Sequence, residues 1–150
     1  MSREAGRGEE KVTTISKSRK MRASLDRLWE IVSDVDDEPK YYDGLNSVKN
    51  LSRIGNVIER EVVVGYLNHE GRQTVTLSPK ASVEVKMTKG PMIGTRVTTL
   101  SPLTDSNTRV DVSWRIEFRV PTFVRGMVKR EVEKGTEHAL DRIAREVESE

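Results

Sequence analysis

The chain has 150 residues, enough for one domain with one sizeable core. It is 35% hydrophobic and 33% charged, with 26 Lys and Arg against 24 Asp and Glu. A net charge of +2 gives no strong overall basic field, so no nucleic-acid partner is expected. The absence of cysteine excludes disulfides, thiolate zinc sites and a thiol nucleophile.

Residues 1–10 are polar and glycine-containing, and are expected to form a disordered tail before a domain over 11–150. They lack the apolar stretch of a signal peptide, and no apolar run approaches the ~20 residues needed to span a bilayer. A cytoplasmic protein is the expectation. Residues 11–21 are rich in β-branched side chains and predict a first strand. Ser24 is placed as an N-cap for a helix over 25–34, with Leu25, Leu28, Trp29 and Val32 at helical spacing. Asp36-Asp37-Glu38-Pro39 predicts a second short helix, which Gly44 ends.

Strand patterns follow over 45–54, 56–67, 72–79, 81–89, 95–101 and 108–120, separated by turn residues. The last is the clearest: Val110, Val112, Trp114, Ile116, Phe118 and Val120 alternate with polar residues, as in an antiparallel sheet with one wet face. Residues 81–89 repeat it with Val83, Val85 and Met87. From 122 to 148 the period becomes helical, with Thr122 as the expected cap. Val124, Val128, Val132, Gly135, Ala139, Ile143 and Val147 form an apolar stripe along about 40 Å. Pairs such as Lys129–Glu133 and Asp141–Arg145 are spaced to support the solvated side.

The fold class is α+β: a helix-grip, with a seven-stranded curved antiparallel sheet wrapped around the long C-terminal helix and two short helices after strand 1. Several segments carry a family likeness. They are Met21 to Asp34, Pro39 with Tyr42, Lys89-Gly-Pro-Met-Ile-Gly94, Leu100-Ser-Pro-Leu103, and the strand Thr108 to Pro121 before the long helix. Through them, about residues 11–148 resemble the polyketide cyclase/dehydrase and coenzyme Q-binding branch of the START-like (SRPBCC) superfamily, which includes the birch-pollen allergen type. The resemblance implies a cavity between sheet and helix. It implies no universal catalytic motif, since such folds host carriers, cyclases, hydrolases and co-chaperones.

An apolar cavity left empty is costly, so a small hydrophobic ligand (lipid, quinone or polycyclic compound) is the expected partner. Its expected lining draws on several strands: Arg60, Val62, Val64 and Tyr66 from 56–67, Val85 and Met87 from 81–89, and Val112 and Trp114 from 108–120. On 95–101 the pattern leaves two faces open, and the resemblance favours the one with Arg96, Thr98 and Leu100. Val128, Val132, Gly135 and His138 come from the helix, with Tyr42 at a pocket rim.

Each assignment has a plainer alternative. An inward arginine needs a carboxylate, a ligand anion or water, or else reaches solvent at the mouth. Gly135 leaves either room for a ligand or close helix-to-sheet packing. His138 is a base or an exposed helix-edge residue, and Trp114 is core or platform. Pro91, Met92 and Ile93 form a lip for transient membrane or protein contact, or fold back on the second helix.

No Walker loop, dinucleotide fingerprint, zinc helix or nucleophile elbow occurs, so no metal or cofactor is expected. The expected function is carriage of a hydrophobic ligand. The alternatives are a polyketide cyclase or dehydratase, and a protein-interaction module of the ribosome-associated or co-chaperone type with a filled cavity.

Overall fold

The computed structural model describes residues 12–149. The tail expected over 1–10 lies outside the described residues. Seven strands follow the expected order: β1 Val12–Met21, β2 Leu45–Ile54, β3 Val57–Val64, β4 His69–Ser78, β5 Ser82–Lys89, β6 Met92–Thr104 and β7 Asn107–Phe118. They form one antiparallel sheet in the order β1-β7-β6-β5-β4-β3-β2. Between β1 and β2 come helix α1, Leu25–Val32, and a 3-10 helix, Val35–Lys40. Ser24 Oγ accepts from Arg27 N–H at 3.1 Å, so the predicted cap is present. Helix α2, Arg125–Glu148, closes the chain. This is the helix-grip fold.

The sheet buries one face because its strands alternate. Val110, Val112, Trp114, Ile116 and Phe118 of β7 are buried, as are Val83, Val85 and Met87 of β5. They meet Leu28 and Val32 of α1, and Ala139, Leu140, Ile143, Ala144 and Val147 of α2, in one core. Each large aliphatic side chain buried there contributes about 1.5–3 kcal/mol. The α2 carboxylates turn to neighbouring elements. Glu137 pairs with Lys17 at 2.8 Å, Asp141 with Arg19, and Glu146 with Lys40 at 3.3 Å. The i,i+4 pairs expected along the helix are not the ones that form.

Several boundaries differ from expectation, among them those of β6 and α2. β6 begins at Met92 rather than residue 95, because Gly94 does not end the strand. It lies within the ladder at φ 142°, where a Cβ would stand 2.1 Å from the carbonyl oxygen of Arg115. Only glycine fits that approach. At the other junction, Thr122–Val124 is a 3-10 turn and the α-helix starts at Arg125 with no side-chain cap.

The topology gathers several connections at one end of the sheet. The β3–β4 turn (65–68), the β5–β6 turn (90–91) and the exit of β7 into α2 all lie there. The Arg119 N–H donates to the Pro91 carbonyl at 2.7 Å. Among the described residues no helix is long and apolar enough to cross a membrane.

Candidate functional site

Inside the sheet lies a charged cluster. Arg60 follows Ile58 and precedes Val62 on the inward face of β3, and it is 0% exposed. Its guanidinium makes four hydrogen bonds: Nη2 donates to Glu38 Oε1 at 2.5 Å, Nε and Nη2 to Gln73 Oε1 at 3.0 and 2.7 Å, and Nη1 to the Val35 carbonyl at 3.0 Å. Glu38, in the 3-10 helix, turns its other oxygen to Arg96 of β6. One buried carboxylate thus serves two buried guanidiniums.

Arg96 is less well served than Arg60. Its guanidinium carbon stands 4.2 Å from the centre of the Tyr42 ring and 5.5 Å from that of Trp114. Its Nε has no hydrogen-bond partner among the described residues. Burial, the largest effect, would lower its pKa, but the charge of Glu38, Tyr42 and the Glu38 hydrogen bond together outweigh it and the net direction is upward. Arg96 stays a cation. Burial also pushes the Tyr42 phenol up, against the opposing pull of Arg96, so Tyr42 keeps its proton at neutral pH. Thr98 lines the same space as Tyr42. Beside them is a cavity of about 20 Å³, lined by Asp34, Glu38, Tyr41, Tyr42, Thr98 and Ile143 among others. It holds about one water. Burial, together with the charges of Asp37 and Asp36, raises the pKa of Asp34 at its edge.

The structure brings together Tyr42, Arg60, Val62, Val85, Met87, Arg96, Thr98, Val112 and Trp114, all buried. On β6 the face with Arg96, Thr98 and Leu100 is the inward one. Tyr42, expected at a rim, is inside. Trp114 Nε1–H donates to Thr136 Oγ1 at 3.0 Å, and Thr136 donates to the Val132 carbonyl at 2.7 Å, so this indole is tied to α2. Val64, Val128, Val132 and Gly135 are half-buried. A Cβ on Gly135 would meet nothing within 4 Å, which rules out close helix-to-sheet packing as the reason for this glycine.

Three expectations need correction. Tyr66 is 97% exposed: β3 ends at Val64, Gly65 takes φ 77°, and the turn throws the ring outward. His138 lies outside the cluster, exposed, with Nδ1 3.0 Å from Asp43 Oδ2, and Arg142 reaches the same carboxylate at 2.6 Å. Met92 and Ile93 are no free lip, being half-buried and paired with Phe118 and Glu117 in the sheet. Sequence reasoning missed Glu38, Gln73 and Asp34. Glu38 stood among Asp36 and Asp37 as one more first-turn acid, yet a partner for Arg60 was called for. Among the described residues no group of three His, Cys, Asp or Glu side chains is placed to hold a metal.

A family model described as polyketide cyclase / dehydrase and lipid transport matches residues 12–148. The chain belongs to that family. No curated protein matches it in sequence. Solved structures share its fold. The Zhui aromatase/cyclase from Streptomyces sp. R1128 superposes with a TM-score of 0.81 at 14% identity, covering 91% of this chain and 94% of that one. A START superfamily protein from Mycobacterium smegmatis gives 0.72 at 20% identity, covering 91% and 97%. Norcoclaurine synthase from Thalictrum flavum gives 0.68 at 18% identity, covering 92% and 95%. At these identities the likeness shows the fold alone.

Proposed function

We propose that the protein binds a small, mainly apolar ligand beneath α2, and holds one oxygen of that ligand with Arg96, Tyr42 and Thr98. The observation that carries this reading is the buried surplus of positive charge. Two guanidiniums share one carboxylate, and Arg96 keeps an unused donor. An acidic or enolised oxygen would use that donor and balance the charge. The family description and the aromatase/cyclase likeness support a phenolic, quinone-like or polyketide-like compound. Room for it must come from the N-terminal half of α2, where Val128, Val132 and Gly135 are only half-buried. The first test is native mass spectrometry with extraction of any co-purified small molecule, followed by thermal shift with hydroxyquinones and their methyl ethers. Stabilisation by the hydroxy compounds, lost in Arg96→Met, is expected. Equal response to both sets, or none to either, would refute the oxygen anchor.

A second reading, a cyclase or dehydratase, is favoured by Asp34. Its raised pKa suits proton transfer, and it lines the same cavity as Tyr42 and Thr98. With Tyr42 protonated, the cluster would stabilise an enolate oxygen while Asp34 takes the proton. Asp34→Asn should then abolish turnover of a β-diketone substrate and leave its binding intact. Activity retained in that variant would eliminate this role.

A further inference from the structure

Overall charge balance hides a local separation. From Phe118 to Arg130 the sequence holds four cations, Arg119, Arg125, Lys129 and Arg130, and no anion. From Glu131 to Ser149 it holds six carboxylates and three Lys or Arg. This order opposes the helix macrodipole, which favours acids at the start of a helix and bases at its end. Four of the six carboxylates have partners in β1 or the 3-10 helix, and Glu148 meets Arg22. The cations do not: among the described residues none of the four has a carboxylate within 4.0 Å, although Glu117 lines the same shallow groove as Arg119 and Arg125.

Large apolar side chains stand at the same end. Phe123 is 89% exposed and Met127, four residues on, is 55% exposed. At the same end, Tyr66 and Leu67 project from the β3–β4 turn, also exposed. Nothing in the fold uses them. Cations interleaved with exposed Phe, Met, Leu and Tyr are the composition of a surface that settles on an anionic lipid interface, with cations at the headgroups and apolar side chains below them. A nucleic-acid backbone or an acidic peptide would answer the charge and leave Met127 and Leu67 unburied.

We infer that this end of the molecule, the start of α2 with the β3–β4 turn, docks on the surface of an anionic phospholipid bilayer. The inference does not depend on what lies beneath α2, and the vesicle test below needs no cavity ligand. The test is flotation of the full chain with vesicles of phosphatidylcholine alone and vesicles containing phosphatidylglycerol, at low and high salt. Binding is expected only to the anionic vesicles and should weaken with salt. Lys129→Gln with Arg130→Gln should reduce it about 30-fold, each cation near an anionic surface being worth about fivefold. Phe123→Ser should reduce it about tenfold or more by removing the apolar part. Ile54→Ser, a control at the opposite end where Ile54 is 81% exposed, should change nothing. All these side chains are exposed, so unfolding midpoints should stay in place. No binding to anionic vesicles, equal binding to neutral ones, or binding indifferent to Phe123→Ser would overturn the inference. So would tight RNA binding that is likewise indifferent to that change.

Discussion

The two halves of α2 obey different rules. From Thr136 onward its inward residues are buried and three of its four carboxylates are paired with β1 or the 3-10 helix. Before Thr136 its apolar residues are half-buried or exposed and its cations are unpaired. One continuous 24-residue helix therefore joins an anchored segment to a loosely held one. Helix stability in proteins comes mostly from packing of the apolar face, so the second half should carry the fold and the first should be free to serve a ligand or a surface.

That division can be broken most forcefully at the charged cluster, because Glu38 shares its cavity with Ile143 of the anchored half. Glu38→Gln would leave two buried guanidiniums without a carboxylate. It should cost about 3–5 kcal/mol in urea unfolding. Replacing Glu38, Arg60 and Arg96 together by apolar residues should recover much of that loss, and a triple variant as unstable as the single one would show that the cluster acts otherwise. Next in size, Ile143→Ala should cost about 2–5 kcal/mol. Val128→Ala, on the loose half, should cost less than about 1 kcal/mol, because its site is already open to water. Equal losses at the two positions would erase the distinction. Gly135→Ala should stabilise by about 0.5–1 kcal/mol, since the helix gains alanine's propensity and the methyl meets nothing. Weaker binding of a ligand by that variant would place the ligand against residue 135.

The smallest effect concerns pH. The hydrogen bond from Tyr41 holds Glu146 below its ordinary 4.5, and His138 followed by Arg142 holds Asp43 below 3.8. A lowered carboxylate pKa contributes stability at neutral pH that is lost as pH falls through the ordinary value toward the folded one. These groups are largely solvated, so the contribution is small. Amide hydrogen exchange below about pH 4.5 should therefore rise first in the anchored half, whose partners protonate, and stay level before Thr136.

Much of this molecule is legible without coordinates. Strict alternation marked β7, the β2 bounds matched at both ends, and the i,i+4 stripe marked α2, because burial of one face imposes those periods. Arg60 was legible as an inward cation in need of a partner. Glu38 was not, because nothing local separates a core carboxylate from its two aspartate neighbours; the fold alone brings residues 38, 60 and 96 together. Arg96 was undecided because Thr95–Leu100 offers similar side chains on both faces. Tyr66 failed for a backbone reason: alternation was carried two residues past Val64, through a glycine that leaves the strand. The charge polarity of α2 was in the sequence throughout, but its meaning depended on knowing which ions find partners.

The smallness of the interior space sets a clock. A ligand larger than one water could not enter a cavity of about 20 Å³ until the protein rearranged, so the protein would govern the timing of the proposed uptake. In rapid mixing, the observed rate should level off as ligand concentration rises, at the frequency with which the wall formed by α1, the 3-10 helix and Ile143 lifts from the sheet. The apparent affinity would be scaled down by the fraction of time it spends lifted. A bound molecule would leave on the same schedule, so retention would be decided by hinge mechanics as much as by contacts.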